Sequence, residues 1–546
     1  MTERPDLAEV HETDRTMQAA AIPQTLGAFL KERAETLGNQ VAGHWFQDDL
    51  SLTFNQLHER ADRLASSLSS LGVRKGAHVA VMLPNVPETL IVWGALGRLG
   101  AVMVPVNTGY TATELSFVLN DSDAQFLVID EDFLPIFAQI PERPEMITDG
   151  NLVVRGEPSG DQKGLYALIE RGAFPFNAPQ PVEASDLLNI QYTSGTTGFP
   201  KGCMLTHEYW MRASYTLAFT RGGPDHGIEH VLVWAPFFYM DGMWQLLSAF
   251  YLDATCYVAR RMSMSRFMDW LIKYQIHSCT FPEPALKAFP PSDRDAQVPL
   301  RYIYAFGWRP ESKRILEERF PTCAARDAYG MTELGTATVT PMTAGERNFA
   351  RTCGLPAPDR KLKIVDEEGK DVPTGERGEL WVAGRGIMWG YYKRPEANRE
   401  VFRGEWFRTG DIFYQDADGY YFIVGRMKDM VKRSGENIAA REVEAVLNEL
   451  EDIIESAIVP VPDPDRGEEV KAYIRLKEGV APESCPPARI LELCGAHLAR
   501  FKLPRYIAYV DDFPRTPSRK IAKQRMLAAA GDLTLGAYDA KDDTWR

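Results

Sequence analysis

The sequence predicts an α/β protein of at least two domains. Three observations predict it. The chain has 546 residues, well beyond what one hydrophobic core fills. Compact apolar strand patterns alternate with amphipathic helical patterns through its first half, which argues for a parallel sheet covered by helices. After about Gly354 the alternation gives way to strand, polar turn, strand, which argues for antiparallel pairing.

Taken in order, residues 54–73 place Leu57, Ala61, Leu64 and Leu68 at helical spacing. HVAVMLP, ending at Pro84, reads as a buried strand; ETLIVWGALGRLG reads as a helix leading into the strand AVMVPV. QFLVID and HVLVWAP are further buried strands. KLKIVDEEGKDVPTGERGELWVAG supplies the strand–turn–strand unit. REVEAVLNEL is then a helix with Val443, Val446, Leu447 and Leu450 on one face, and KAYIRL a strand. A boundary near Gly425–Lys428 divides the chain into domains 1–425 and 426–546, the second of ordinary domain size.

Composition narrows the function classes. A net charge of −14, spread along the chain, argues against a nucleic-acid or anionic-membrane surface but allows a local basic pocket for a polyphosphate. The seven cysteines (203, 256, 279, 323, 353, 485 and 494) form no C-x-x-C pair, so reduced thiols are expected rather than a disulfide framework or zinc site. No apolar run reaches 18 residues and the N-terminus lacks an apolar leader segment, so a cytoplasmic protein without a membrane span is expected.

The loop Thr193-Ser194-Gly195-Thr196-Thr197-Gly198 followed by Lys201 has the makings of an anion cradle. Glycines let backbone N–H groups approach phosphate oxygens, while hydroxyls and one lysine complete the shell. It is not a Walker A loop, because Lys201 precedes its glycine, Gly202, and no Ser or Thr directly follows. Considered alone, a Ser/Thr-rich surface turn is the plain alternative.

The loop is one of five motifs occurring in order: YTSGTTGFPKG, YGMTE (Tyr329–Glu333), WFRTGD (Trp406–Asp411), GRMKDMVKRSGENI (Gly425–Ile438) and PRTPSRK (Pro514–Lys520). Together they resemble the AMP-forming adenylating superfamily of acyl-CoA synthetases, carrier-loading adenylation domains and beetle luciferases. The resemblance runs from about Leu52 to Met526. It implies a large N-terminal α/β domain with an antiparallel barrel-like region and a smaller, mobile C-terminal α+β domain. It also implies ATP, Mg²⁺ and coenzyme A as reaction partners.

Residue roles follow from the resemblance, motif by motif. Thr193, Ser194, Gly195, Thr196, Thr197 and Lys201 are implied to hold the leaving phosphates of ATP. Gly307, Trp308, Asp327 and Tyr329 belong to the adenine side, and Thr332 to the α-phosphate. Glu333 is implied to hold Mg²⁺, a hard cation suited to carboxylate oxygen. Asp411, assisted by Arg426, is implied to accept hydrogen bonds from the ribose hydroxyls. Lys520 matches the catalytic lysine that bridges carboxylate and α-phosphate, and Lys428 the hinge. Ser434, Gly435 and Glu436 match the segment beside the pantetheine tunnel, where a glycine permits close approach. Lys428 remains open to a plainer reading as a solvated linker lysine.

Three departures from the family pattern matter, the first near the acyl carboxylate, the second on the adenine side and the third in the loop of the catalytic lysine. Tyr239 stands where the family has histidine, Phe306-Gly307-Trp308-Arg309 replaces a G-G-A-P segment, and Arg519 replaces the glycine before the catalytic lysine. Gly330 matches the tryptophan that closes the pocket of acetyl-CoA synthetases, so an acid larger than acetate is expected: fatty, aromatic or carnitine/betaine-type. Tyr239, Asp241, Trp244, Phe306, Gly330 and Met331 are the acyl-side candidates. Their aromatics either flatten the site, cradle a quaternary ammonium by cation–π contact, or simply pack the core.

The reading is an ATP-dependent carboxylate–CoA ligase, acting on a small-molecule acid with no nucleic acid partner; a homodimer is compatible with it. The nearest rival is a stand-alone adenylation enzyme that loads a carrier protein. An oxidative, luciferase-like role is a distant third, and the presence of Lys201, Glu333, Asp411 and Lys520 speaks against a non-catalytic nucleotide sensor.

Overall fold

The computed structural model describes residues 4–193, 200–220, 226–433, 436–516 and 520–546; at 428, 436 and 437 only the backbone is described. The chain divides into two compact units. Among the described residues, the first unit lies within 4–193, 200–362 and 382–407, and the second within 363–381 and 408–546.

The first unit is built on two seven-stranded sheets. In one, Leu152–Arg155, Phe126–Asp130, His78–Met82, Val102–Pro105 and Leu187–Thr193 run parallel, and Lys201–Thr206 closes the edge antiparallel to Leu187–Thr193. In the other, Ala324–Arg326, Tyr302–Tyr304, Ser278–Thr280, His230–Val233, Thr255–Val258 and Val41–Trp45 run parallel, with Leu50–Thr53 turned back on Val41–Trp45. The strands expected at 78–84, 101–106, 125–130 and 230–236 are all present, trimmed by one to three residues.

The predicted helix after Leu52 spans Phe54–Ser70, and Leu57, Ala61, Leu64 and Leu68 are all buried. Thr53 begins it as one half of a capping box with Gln56, which satisfies two of the helix's orphan donors. Helix Pro87–Leu99 is buried almost all round, as expected of a helix apolar on every face. It stops at Gly100, whose φ of 68° is the left-handed conformation that ends helices cheaply only at glycine. The core of the first sheet joins Val104, Ile129 and Leu127 to Leu115, Val118 and Leu119 of helix Ala112–Asp121.

Arg360–Val365 and Gly378–Gly384 are neighbouring strands, as the strand–turn–strand pattern expects, in a five-stranded sheet. In the second unit, Ile453–Asp463 pairs antiparallel with Gly467–Leu476, which contains the expected KAYIRL strand. The helix expected at 441–450 ends at Leu447, short of Leu450, which still packs against the same core as Val443, Val446 and Leu447. All seven cysteines are buried. Among the described residues no helix is long and apolar enough to cross a membrane.

Candidate active site

In the first unit the geometry centres on Glu333. Strands Ala328–Met331 and Gly335–Val339 form a tight antiparallel hairpin with Met331 opposite Gly335, and its turn carries Thr332 and Glu333. Gly335 has φ 71°, a backbone shape that closes such a turn without Cβ strain. The carbonyls of this turn are held from below. Tyr209 Oη donates to Thr332 O at 2.8 Å, and Arg360 donates to Leu334 O (2.7 Å), to Thr336 O (3.0 Å) and to Arg385 O. Burial pulls the Arg360 pKa down to about 10, so the guanidinium stays charged at neutral pH while serving carbonyls.

Glu333 is itself only 7% exposed, a costly place for a carboxylate unless it is hydrogen-bonded. The Tyr391 hydroxyl donates to its Oε1 at 2.8 Å, and the Met388 amide donates to its carbonyl at 2.8 Å. Lys201 Nζ lies 4.8 Å from the centre of the Tyr391 ring. Lys201 opens the edge strand opposite Thr193, whose hydroxyl reaches Lys201 O at 3.4 Å. The Tyr391 side chain therefore meets the Lys201 ammonium on its face and the Glu333 carboxylate at its hydroxyl. Cys203 lies in the same strand; burial and the charge of Glu333 push its thiol well above the usual range, so it is no nucleophile. Ser194, Gly195, Thr196 and Thr197 lie outside the described residues.

The adenine-side candidates separate. Asp327 is buried, and its Oδ1 accepts from the amides of Gly307 (3.0 Å) and Ala328 (2.9 Å), tying two loops together. Trp308 is buried in the core, edge-on to Phe281 at 5.9 Å. Phe306 is 44% exposed and stacks on Tyr304. Tyr329 is half-buried, with its hydroxyl 3.8 Å from the Met331 sulfur.

On the acyl side, Tyr239 precedes helix Met240–Tyr251, and its hydroxyl accepts from Asn107 Nδ2 at 3.1 Å. Burial pushes its pKa up to about 12, so it is a neutral hydrogen-bonding group where a histidine would titrate. Asp241 is exposed in the first turn of that helix. Trp244 is buried one turn on and faces the hairpin, since a Cβ on Gly335 would lie 4.0 Å from its Cζ2. Gly330 lies where two backbones come close. A Cβ there would stand 2.4 Å from the Gly335 carbonyl oxygen, so the glycine permits the close backbone approach at a bulge between Tyr329 and Gly330.

In the second unit, Asp411 lies opposite Arg426 across the hairpin of Trp406–Gln415 with Tyr421–Arg426. Asp411 is 3% exposed, and Arg426 Nε is 3.3 Å from its Oδ1. Thr409 Oγ1 donates to Leu380 O at 2.7 Å and accepts from the Asp411 amide at 3.1 Å. Buried Glu379 accepts from the Gly410 amide (3.1 Å), Arg408 and Trp381. Lys428 sits in the one-turn 3₁₀ segment Met427–Asp429. Glu436 begins a strand opposite Arg433; Ser434 and Gly435 lie outside the described residues. Lys520 is exposed, and two hydrogen bonds join it to Thr516. Its amide donates to Thr516 Oγ1 (3.1 Å) and its carbonyl accepts from the Thr516 amide (2.8 Å). Arg519 lies outside the described residues.

Comparison with known proteins supplies the assignment. The AMP-binding enzyme family model matches residues 30–392, and the AMP-binding enzyme C-terminal domain matches 442–520. The chain belongs to the AMP-binding enzyme family. Over 542 residues it is 30% identical to YngI of Bacillus subtilis (strain 168), which carries the name of an acyl-CoA synthetase, covering 93% of this chain and 97% of YngI. Over 486 residues it is 29% identical to the crotonobetaine/carnitine–CoA ligase of Proteus mirabilis (strain HI4320), covering 87% and 92%. The crystal structure of the anthranilate CoA ligase AuaEII with anthranoyl-AMP superposes with a TM-score of 0.82 at 25% identity, covering 94% of this chain and 98% of that one.

The residues of this AMP-binding enzyme fit magnesium in one specific way. Among the described residues no group of three or more His, Cys, Asp or Glu side chains could hold a metal alone. Mg²⁺ with a nucleotide needs only one or two carboxylates, with phosphate oxygens and water completing the shell. Glu333, anchored by Tyr391 and near Lys201, matches that sparse donor set. Tyr391, Arg360 and Tyr209 escaped the sequence analysis. Each acts through contacts distant in sequence, and no spacing announces them.

Proposed function

We propose that this AMP-binding enzyme is an ATP-dependent carboxylate–CoA ligase working through an acyl-adenylate. The observation that carries the reading is the buried Glu333 carboxylate held by Tyr391 with Lys201 alongside. Such a set meets the need of joining two anions, a carboxylate and a triphosphate.

In the first half-reaction the substrate carboxylate oxygen bonds to the α-phosphorus of ATP. The bond from that phosphorus to the β-bridging oxygen breaks, and pyrophosphate leaves. Lys201 and the hydroxyl loop 193–197 bind the departing phosphates. Glu333 would hold Mg²⁺, which would supply charge neutralisation there. Thr332 orients the α-phosphate, Asp411 and Arg426 hold the ribose, and Tyr329, with Gly307, Trp308 and Asp327 shaping its surroundings, holds the adenine. Lys520 stabilises the charge shared between carboxylate and α-phosphate.

In the second half-reaction the thiol sulfur of CoA bonds to the acyl carbon, AMP leaves with the electron pair of the C–O bond, and the thiol proton passes to solvent. Lys428 is the hinge at which domain 426–546 turns between the two steps, and Ser434, Gly435 and Glu436 border the pantetheine. For the acid, Tyr239, Asp241, Trp244, Phe306, Gly330 and Met331 form the acyl side. They suit a substrate larger than acetate, of aromatic, fatty or betaine type. We place the activity in the cytoplasm, where ATP and CoA are supplied, with a homodimer as the form to test by light scattering.

The deciding experiment measures pyrophosphate release over a panel of acids from acetate through aromatic to betaine, with CoA or a phosphopantetheinyl carrier protein as acceptor. Thioester formed on CoA supports the ligase. Transfer to the carrier alone supports the carrier-loading rival, and no pyrophosphate with any acid overturns both.

A further inference from the structure

The segment that presents Tyr391 is built with unusual care. Residues 389–392 run along the edge strand Lys201–Thr206: Trp389 N donates to Met204 O (2.9 Å), Met204 N to Gly390 O (2.9 Å), and Tyr392 N to Gly202 O (2.8 Å). Asn398, from helix Pro395–Val401, then grips the Tyr391 backbone on both sides. Its Oδ1 accepts from the Tyr391 amide at 2.7 Å, and its Nδ2 donates to the Tyr391 carbonyl at 3.0 Å. The grip needs Gly390: with φ 132°, a Cβ there would stand 2.9 Å from Asn398 Oδ1. Asn398 thus fixes the tyrosine backbone, and the ring is only 6% exposed. The same segment holds Glu333 twice, through the Tyr391 hydroxyl and through the Met388 amide.

The phenol joins the two charged groups. Its O–H donates to the Glu333 carboxylate, and its face receives the Lys201 ammonium at 4.8 Å, where the ring quadrupole attracts a cation. One side chain therefore sets the orientation of the carboxylate and the resting place of the ammonium. A buried carboxylate that must meet a metal–nucleotide gains from being held in advance, because no reorientation is needed on binding.

We infer that Tyr391 is a positioning residue for Glu333, registering it against Lys201, and thereby sets how much ATP affinity the protein gains from Mg²⁺. The inference rests on the ligase reading for the roles of Glu333 and Lys201, so its test includes a measurement that does not depend on catalysis.

The test variant is Tyr391→Phe, which keeps the ring and its packing and removes only the hydroxyl. ATP binding to full-length protein is measured by calorimetry with Mg²⁺ and with EDTA. A hydrogen bond to a charged group converts to about a tenfold effect or more. The Mg²⁺-dependent gain in ATP affinity is therefore expected to fall about tenfold, with binding in EDTA changed less than about twofold. The Mg²⁺ concentration for half-maximal pyrophosphate release rises about tenfold, while thioester formation from a supplied acyl-adenylate stays near wild type. Asn398→Ala, which leaves the phenol but loosens its backbone, is expected to show the same metal-specific loss in smaller measure. Wild-type Mg²⁺ dependence in Tyr391→Phe overturns the inference, as does an equal loss of ATP affinity with and without Mg²⁺. If the wild-type protein releases no pyrophosphate with any acid, the ligase reading fails while calorimetry still decides the role of Tyr391.

Discussion

His207 offers a test of the first unit that needs no substrate. It opens helix His207–Phe219, is fully buried, and its Nδ1 accepts the Leu26 amide at 3.1 Å, so it caps the start of another helix, Leu26–Leu37. That bond requires the neutral ring with its proton on Nε2. A second proton would set an N–H against the Leu26 N–H and place a charge in the core. Burial accordingly lowers its pKa from the ordinary 6.5 to about 4. The unfolded chain binds a proton below pH 6.5 while the folded chain does not, so stability is present above 6.5 and lost as pH falls toward 4. Linkage between those two pKa values gives about 2 kcal/mol lost at pH 5 and about 3 kcal/mol at pH 4. His277 repeats the design: its Nδ1 accepts the Glu229 amide at 3.0 Å, and burial, Arg301 and His230 lower its pKa to about 4. The perturbation is His207→Asn, which retains an acceptor near the Leu26 amide and cannot titrate. Urea midpoints followed by tryptophan fluorescence from pH 8 to 4.5 are expected to fall more gently in the variant, by about 2 kcal/mol between pH 6.5 and 5. The variant starts lower at pH 8 because the smaller side chain leaves a void. An acid slope unchanged from wild type would refute the reasoning.

Three further outcomes are expected. On the proposed role of Asp411 as acceptor for two ribose hydroxyls, Asp411→Ala is expected to raise the apparent KM for ATP at least about tenfold; an unchanged KM takes Asp411 out of the site. Lys520→Ala is expected to slow pyrophosphate release about 10²–10³-fold, like loss of one preorganised charge-stabilising donor, while thioester formation from a supplied adenylate continues near the wild-type rate. Equal loss in both halves would mean that the lysine serves stability. Gly330→Ala is expected to destabilise the hairpin by about 1–3 kcal/mol, because its Cβ meets the Gly335 carbonyl oxygen at 2.4 Å and the backbone must shift. A midpoint within error of wild type shows that the hairpin relaxes freely.

Much of the fold is legible locally. Leu57, Ala61, Leu64 and Leu68 lie on one helical face because a 3.6-residue period is a property of neighbours along the chain. Strand His78–Met82 is readable as an apolar run for a related reason: a central parallel strand is buried on both faces. The motifs likewise identify the family, since residue types at fixed spacing survive without coordinates. The candidate site is legible only in part. YGMTE singles out Glu333, yet the hydroxyl that holds its carboxylate comes from Tyr391, 58 residues away, in a stretch with no distinguishing pattern. Trp308 is two residues from Phe306 in sequence, but one is buried in the core and the other exposed, because a turn at Gly307 sends them to different sides. Gly330 shows the limit most plainly. Sequence determined that no side chain is present there. Which atom a side chain would meet was decided by the return of the backbone at Gly335, a packing distance that the order of residues does not contain.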